Sequence, residues 1–69
     1  MDMFPVKSTN IDAVGYDGSE AKLRLKFKNG RTYEYYPVPQ EVFHGLMNSH
    51  SKGKYAHENI YPRYKGTQV

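Results

Sequence analysis

From Lys22 to Lys28 the chain alternates strictly, with Leu23, Leu25 and Phe27 set between Lys22, Arg24, Lys26 and Lys28. A period of two marks a strand with one face buried and one in water. Asn29-Gly30 supplies a turn, and Thr32 to Tyr36 is rich in β-favouring residues, so the segment predicts a β-hairpin. Two registers compete. If the loop is Asn29-Gly30 alone, Tyr33 and Tyr35 share the solvated face with Arg24 and Lys26, an aromatic and basic platform of the kind single-strand binders use. That register presses Glu34 against Leu25. If the loop is Lys28-Asn29-Gly30 with Gly30 left-handed, Leu25 faces Tyr33 and Arg24 faces Glu34. A slip of one residue flips every side chain, so only one register can hold. The second is favoured, because an unpaired buried glutamate costs several kcal/mol.

The flanking segments are less regular. Ile11 to Tyr16 has strand composition, but Ile11, Ala13, Val14 and Tyr16 do not alternate cleanly. A bulge near Gly15 or a strand buried on both faces would explain that. Asp17-Gly18-Ser19 reads as a turn, and the first ten residues as a lead-in with Phe4 and Val6 free to pack. Tyr36-Pro37-Val38-Pro39 ends the sheet, since proline cannot donate to a ladder. Pro39 suits a first helical turn, Gln40 and Glu41 favour its positive end, and Asn48 closes the helix. Val42, Phe43, Leu46 and Met47 form its apolar stripe, laid on a core. Ser51 is an N-cap for a second helix whose inner face is Tyr55, Ala56 and Ile60, with Pro62 at its end. Arg63 to Val69 is polar and reads as a fraying tail. The expected architecture is α+β. A three-stranded antiparallel sheet (Ile11–Tyr16, Ala21–Phe27, Arg31–Tyr36) carries two short C-terminal helices on one face.

Composition narrows this picture. Sixty-nine residues allow one domain over 1–69, its core at about 6–64 and residues 66–69 frayed. With no cysteine, neither a disulfide nor a thiolate metal site is available. No window has the run of apolar residues a membrane span needs, and Met1 to Asn10 lacks a signal-peptide pattern. The expectation is a soluble, cytoplasmic monomer without membrane contact. The net charge of +3 is unevenly placed. Residues 1–47 hold six basic and six acidic side chains, whereas residues 48–69 hold Lys52, Lys54, Arg63 and Lys65 against Glu58 alone. A local basic surface suggests an anionic partner.

Catalytic and metal chemistry find little footing. Ser49-His50-Ser51 is adjacent in sequence, but adjacency does not give a nucleophile its base and orienting carboxylate. No enzyme and no cofactor are expected. His44, His50 and His57 are spaced by six and seven residues. Ligands aligned on one helix need a spacing of about three or four, so no metal site is expected. Ser51-Lys52-Gly53-Lys54-Tyr55 lacks the full phosphate-loop pattern. It would still bring helix amides, a hydroxyl and two lysines together, with Gly53 letting a phosphate approach. The favoured reading of the same run is a helix cap alone, with Gly53 required by tight packing, because capping serines are ubiquitous. Tyr61-Pro62-Arg63-Tyr64-Lys65 interleaves aromatics with cations, either as a stacking surface or as a strap over the core. The charged face of Lys22, Arg24, Lys26 and Lys28 is partly offset by Glu20 and Glu34.

Several of these pieces together resemble the KTSC domain, a family named for the C-terminus of some lysyl-tRNA synthetases. The residues are Ser8, Ile11, Gly15-Tyr16, Phe27, Gly30, Tyr33-Glu34-Tyr35, Val38-Pro39, Ser51-Lys52-Gly53-Lys54-Tyr55 and Ile60. The resemblance implies an accessory domain, here standing alone, found also appended to synthetases and as small bacterial or phage proteins. RNA binding is what the synthetase association suggests. With the charge skew, it makes Ser51, Lys52, Gly53, Lys54, Arg63 and Lys65 the candidate nucleic-acid contacts, with Arg24 and Lys26 as secondary ones. Binding would be weak, salt-dependent and sequence-blind. The alternative is a protein-interaction module docking on a larger enzyme or a phage or host component.

Overall fold

A computed structural model describes residues 1–69. The elements in chain order are β1 (Met3–Pro5), β2 (Ile11–Asp17), β3 (Lys22–Phe27), β4 (Thr32–Tyr35), α1 (Gln40–Asn48), α2 (Lys52–Asn59) and β5 (Gly66–Gln68). The class is α+β, as the patterning implies, but the sheet has five strands in the order β1-β2-β3-β4-β5, not three. The two additions are the edges. The lead-in pairs with β2 at Met3↔Gly15 and Pro5↔Ala13, and the expected frayed tail pairs with β4 at Tyr35↔Gly66 and Tyr33↔Gln68. Each edge is three residues long, held through backbone hydrogen bonds to a neighbour that carries the hydrophobic pattern. Their own side chains do not alternate, which is why they read as coil.

The hairpin adopts the three-residue loop. Leu25 faces Tyr33, Arg24 faces Glu34, and the Phe27 amide donates to the Arg31 carbonyl at 2.8 Å. Gly30 sits at φ +91°, a conformation glycine takes without a Cβ penalty. Leu23, Leu25 and Tyr35 thereby share the buried face. Ala21 is not part of the strand: its φ of 57° places it in the preceding turn, where its carbonyl accepts from the Val38 amide. The irregularity of β2 has both of the expected causes. A bulge falls between Ile11 and Ala13 rather than at Gly15, and the strand is buried on both faces over Ala13, Val14 and Gly15.

Both helices cover the same face of the sheet. Val38, Leu46, Ala56 and Ile60 close on Ile11, Val14, Leu23, Leu25 and Tyr35 in one cluster. Val42, Phe43 and Met47 of the predicted stripe pack against it. Tyr16 stacks on Phe43 with ring centres 4.7 Å apart and donates its hydroxyl to the Val38 carbonyl at 2.6 Å. Tyr61 and Tyr64 also pack on the core, so the C-terminal aromatics are a strap and not a stacking surface.

Candidate functional site

Three distant stretches of chain meet at one corner. Ser8 accepts from the amides of Asn10 and Ile11, which folds residues 7–10 into a tight connection before β2. The Asn10 carbonyl accepts from the Lys28 amide at 2.9 Å, tying that connection to the hairpin loop. The Asn10 side-chain oxygen lies 2.9 Å from where a Cβ on Gly53 would stand, so the start of α2 rests against the same residue. A Cβ at 53 would push the Asn10 side chain aside, a contact no nearby sequence reveals. Ser51 caps α2 by accepting from the Lys54 amide at 3.4 Å, as its N-cap pattern predicts.

Between these stretches lies a concavity of about 460 Å³ lined by Lys7, Ser8, Thr9, Lys28, His50, Ser51 and Lys52. None of the seven is hydrophobic and none is a carboxylate. The ion pairs of the fold involve Lys22 and Arg24 only, so Lys7, Lys28 and Lys52 have no acidic partner. Lys52 is anchored by donating to the Ser49 carbonyl at 3.1 Å. First-turn amides of α2 open at the same corner. Like charges held together without a counter-charge repel, and an anion seated among them removes that cost.

Of the residues foreseen as contacts, Ser51 and Lys52 line this concavity, and Gly53 underlies it. Lys54 lies in an adjoining shallow groove with Ser49, His50, Tyr55 and Glu58. Arg24 and Lys26 point away from the helices, and Arg24 is held by Glu34 through contacts of 3.1 and 2.6 Å to one oxygen. Arg63 and Lys65 precede Gly66, which pairs with Tyr35 at the far end of the sheet. Five residues of β3 separate that end from Lys28, roughly 16 Å at strand rise. The candidate contacts are therefore divided among three places.

The groups with displaced ionisation lie elsewhere. Burial pushes Tyr35 up to about 12 and raises Tyr61. Burial, with the charges of Glu41 and Asp17, raises Tyr16. The Ser19 hydroxyl, donating at 2.7 Å, lowers Asp17. No three His, Cys, Asp or Glu side chains converge to hold a metal, and no helix is long and apolar enough to cross a membrane.

The model of the KTSC domain family matches residues 7–64. The chain belongs to that family. A KTSC domain protein from Yersinia pestis, solved by crystallography, superposes with a TM-score of 0.95 at 28% identity, covering 99% of this chain and 96% of that one. A protein from Tsukamurella paurometabola is 44% identical over 97% of this chain and 100% of its own length. A lysine–tRNA ligase from a Nostoc species is 39% identical over 86% of this chain, which corresponds to only 10% of the ligase. KTSC is not a known catalytic family, and the corner described above holds no nucleophile-base-carboxylate set.

Within this KTSC domain, sequence reasoning missed Lys7, Lys28, Asn10 and His50 as members of the corner. Lys28 was visible only as the last cation of an alternating strand. The Ser8 and Ile11 positions that carry the family likeness mark the connection, but nothing in their spacing places it against α2.

Proposed function

We propose that this KTSC domain is a non-catalytic accessory domain that binds RNA weakly, through its phosphates, at the corner of Lys7, Lys28, Lys52 and Ser51. The supporting observation is the gathering of three lysines with no carboxylate among the residues around them. Its likeness to a tenth of a lysine–tRNA ligase favours RNA as the polyanion. Lys54 extends the footprint along the adjoining groove. Arg63, Lys65, Arg24 and Lys26 engage only a strand long enough to pass around the domain. Because no Phe, Tyr, Trp or aliphatic hydrophobe lines the concavity and His50 is its single ring, contact is chiefly with phosphate, and binding is largely indifferent to sequence.

Fluorescence anisotropy with a labelled single-stranded RNA tests this over a range of salt. With three to four phosphates engaged, log K falls against log salt with a slope of about −2 to −3. Lys7→Ala/Lys28→Ala/Lys52→Ala reduces that slope by about 2. Absence of binding at low salt, or a triple variant that binds like the parent, overturns the reading. A nuclease-insensitive stoichiometric protein partner would then favour the protein-docking alternative.

A further inference from the structure

We infer that the concavity is a pocket for a terminal phosphate monoester, the phosphorylated end of a nucleotide or strand, in preference to an internal phosphodiester. This rests on the phosphate-binding reading above and specifies its ligand. Lys7 comes from the β1–β2 connection, Lys28 from the hairpin loop and Lys52 from the start of α2, so the three cations surround one space from three sides. A phosphodiester brings one negative charge and a chain that must leave in two directions. A phosphate monoester brings about −1.5 to −2 charges at neutral pH and leaves in one. Three uncompensated lysines reward the second charge, and a concave site suits a group with a single exit. The hydroxyls of Thr9 and Ser51 and the ring of His50 complete an entirely polar lining. Its cations and hydroxyls outnumber the single ring of His50, which places recognition chiefly on the phosphate.

The fold holds this geometry in advance. Asn10 joins all three sources: its carbonyl binds the Lys28 amide, its side chain abuts Gly53, and its own amide is bound by Ser8. The backbone segments that carry the three lysines are therefore tied together at one corner.

The test is a titration of the isotopically labelled protein, followed by amide chemical shifts, with four probes at matched ionic strength. These are a short RNA bearing a 5′-phosphate, the same RNA with a 5′-hydroxyl, adenosine monophosphate, and sulfate. The phosphorylated RNA is expected to bind at least about fivefold more tightly than its hydroxyl counterpart, the gain coming from the extra charge in the lysine field. Shifts should centre on residues 7–10, 28 and 50–53, and adenosine monophosphate should reproduce them. Lys28→Ala/Lys52→Ala, checked for folding by circular dichroism, should erase the difference between the two RNAs. Equal affinity for both RNAs overturns the terminal-phosphate inference while the RNA reading stands. Shifts with adenosine monophosphate but with neither RNA support the pocket and overturn the RNA reading. Adenosine monophosphate and sulfate both leaving residues 7–10, 28 and 50–53 unshifted overturns the pocket as a phosphate site.

Discussion

Two groups of cations in this domain look alike in the sequence and differ in the fold. On the outward face of β3, Lys22 and Arg24 stand beside Glu34, with Lys22 3.6 Å from Glu20 and 3.9 Å from Glu34. At the corner of α2, Lys7, Lys28 and Lys52 meet with no acid among them. The first group is neutralised by cross-strand pairing, whose register was itself fixed by burial of Leu23, Leu25 and Tyr35. The second is assembled by backbone constraints and left uncompensated. A count of basic residues does not separate these cases; the distribution of carboxylates around them does.

If the hairpin is held by burial and the corner is not, substitutions in the two should act on different properties. The largest effect is expected at Leu25, fully buried at the centre of the core. Leu25→Ala should cost about 2–5 kcal/mol, a large share of what a domain this small possesses. Urea denaturation followed by circular dichroism measures it, and a loss below about 1 kcal/mol would contradict the central role given to this strand.

High pH probes the same region. Tyr35 is raised from 10.0 to about 12 by burial, then by the neighbouring Tyr61 and Tyr33. A raised value means that the folded chain keeps a proton which the unfolded chain releases. Stability is therefore complete below pH 10 and falls progressively as pH rises towards 12. Tyr61 and Tyr16 act with the same sign. Tyr35→Phe should flatten this fall, read as unfolding midpoints between pH 9 and about 12, and an unchanged alkaline profile would remove Tyr35 from the account.

Glu34→Gln tests whether pairing is what silences the outward face. Glu34 accepts two contacts from Arg24, and its side chain is only 17% exposed. Losing its charge should cost about 1 kcal/mol. It also frees Arg24 and Lys22, so RNA affinity at low salt should rise and the salt slope steepen by up to about 1. Unchanged RNA binding would mean that this face is inert for some reason other than its carboxylate.

The parts of the molecule that could be read in advance share one property: their information is local. The strict alternation of Leu23, Leu25 and Phe27, with Glu34 to be kept from the core, favours the hairpin register that the fold adopts. Ser51 announced its cap, and Val42, Phe43, Leu46 and Met47 their helix. The edge strands β1 and β5 escaped because backbone pairing to an adjacent strand leaves no periodic mark on three residues. The corner escaped for a different reason. Lys7, Lys28 and Lys52 are far apart in sequence, and their meeting depends on Asn10 touching both the hairpin and α2. Charge skew singled out Lys52, which lines the corner, but grouped it with Arg63 and Lys65, which the helix and strap carry to the other end of the sheet.

The smallest expected change in stability is the most discriminating. Lys7→Ala/Lys28→Ala/Lys52→Ala removes three exposed or half-exposed side chains that make no ion pair, and only one of them makes a hydrogen bond from its ammonium. If the corner were merely structural, the triple variant would lose stability, as truncation usually does. If it is a site assembled against repulsion, removing the charges should instead raise stability by a few tenths of a kcal/mol at low salt. That gain should vanish at about 0.5 M salt, where screening has already weakened the repulsion. Urea midpoints of parent and variant at the two salt concentrations decide between these signs. A salt-dependent gain in stability together with lost RNA binding is the pattern of a corner whose lysines are retained for an anion, whereas a salt-independent loss would make them part of the scaffold.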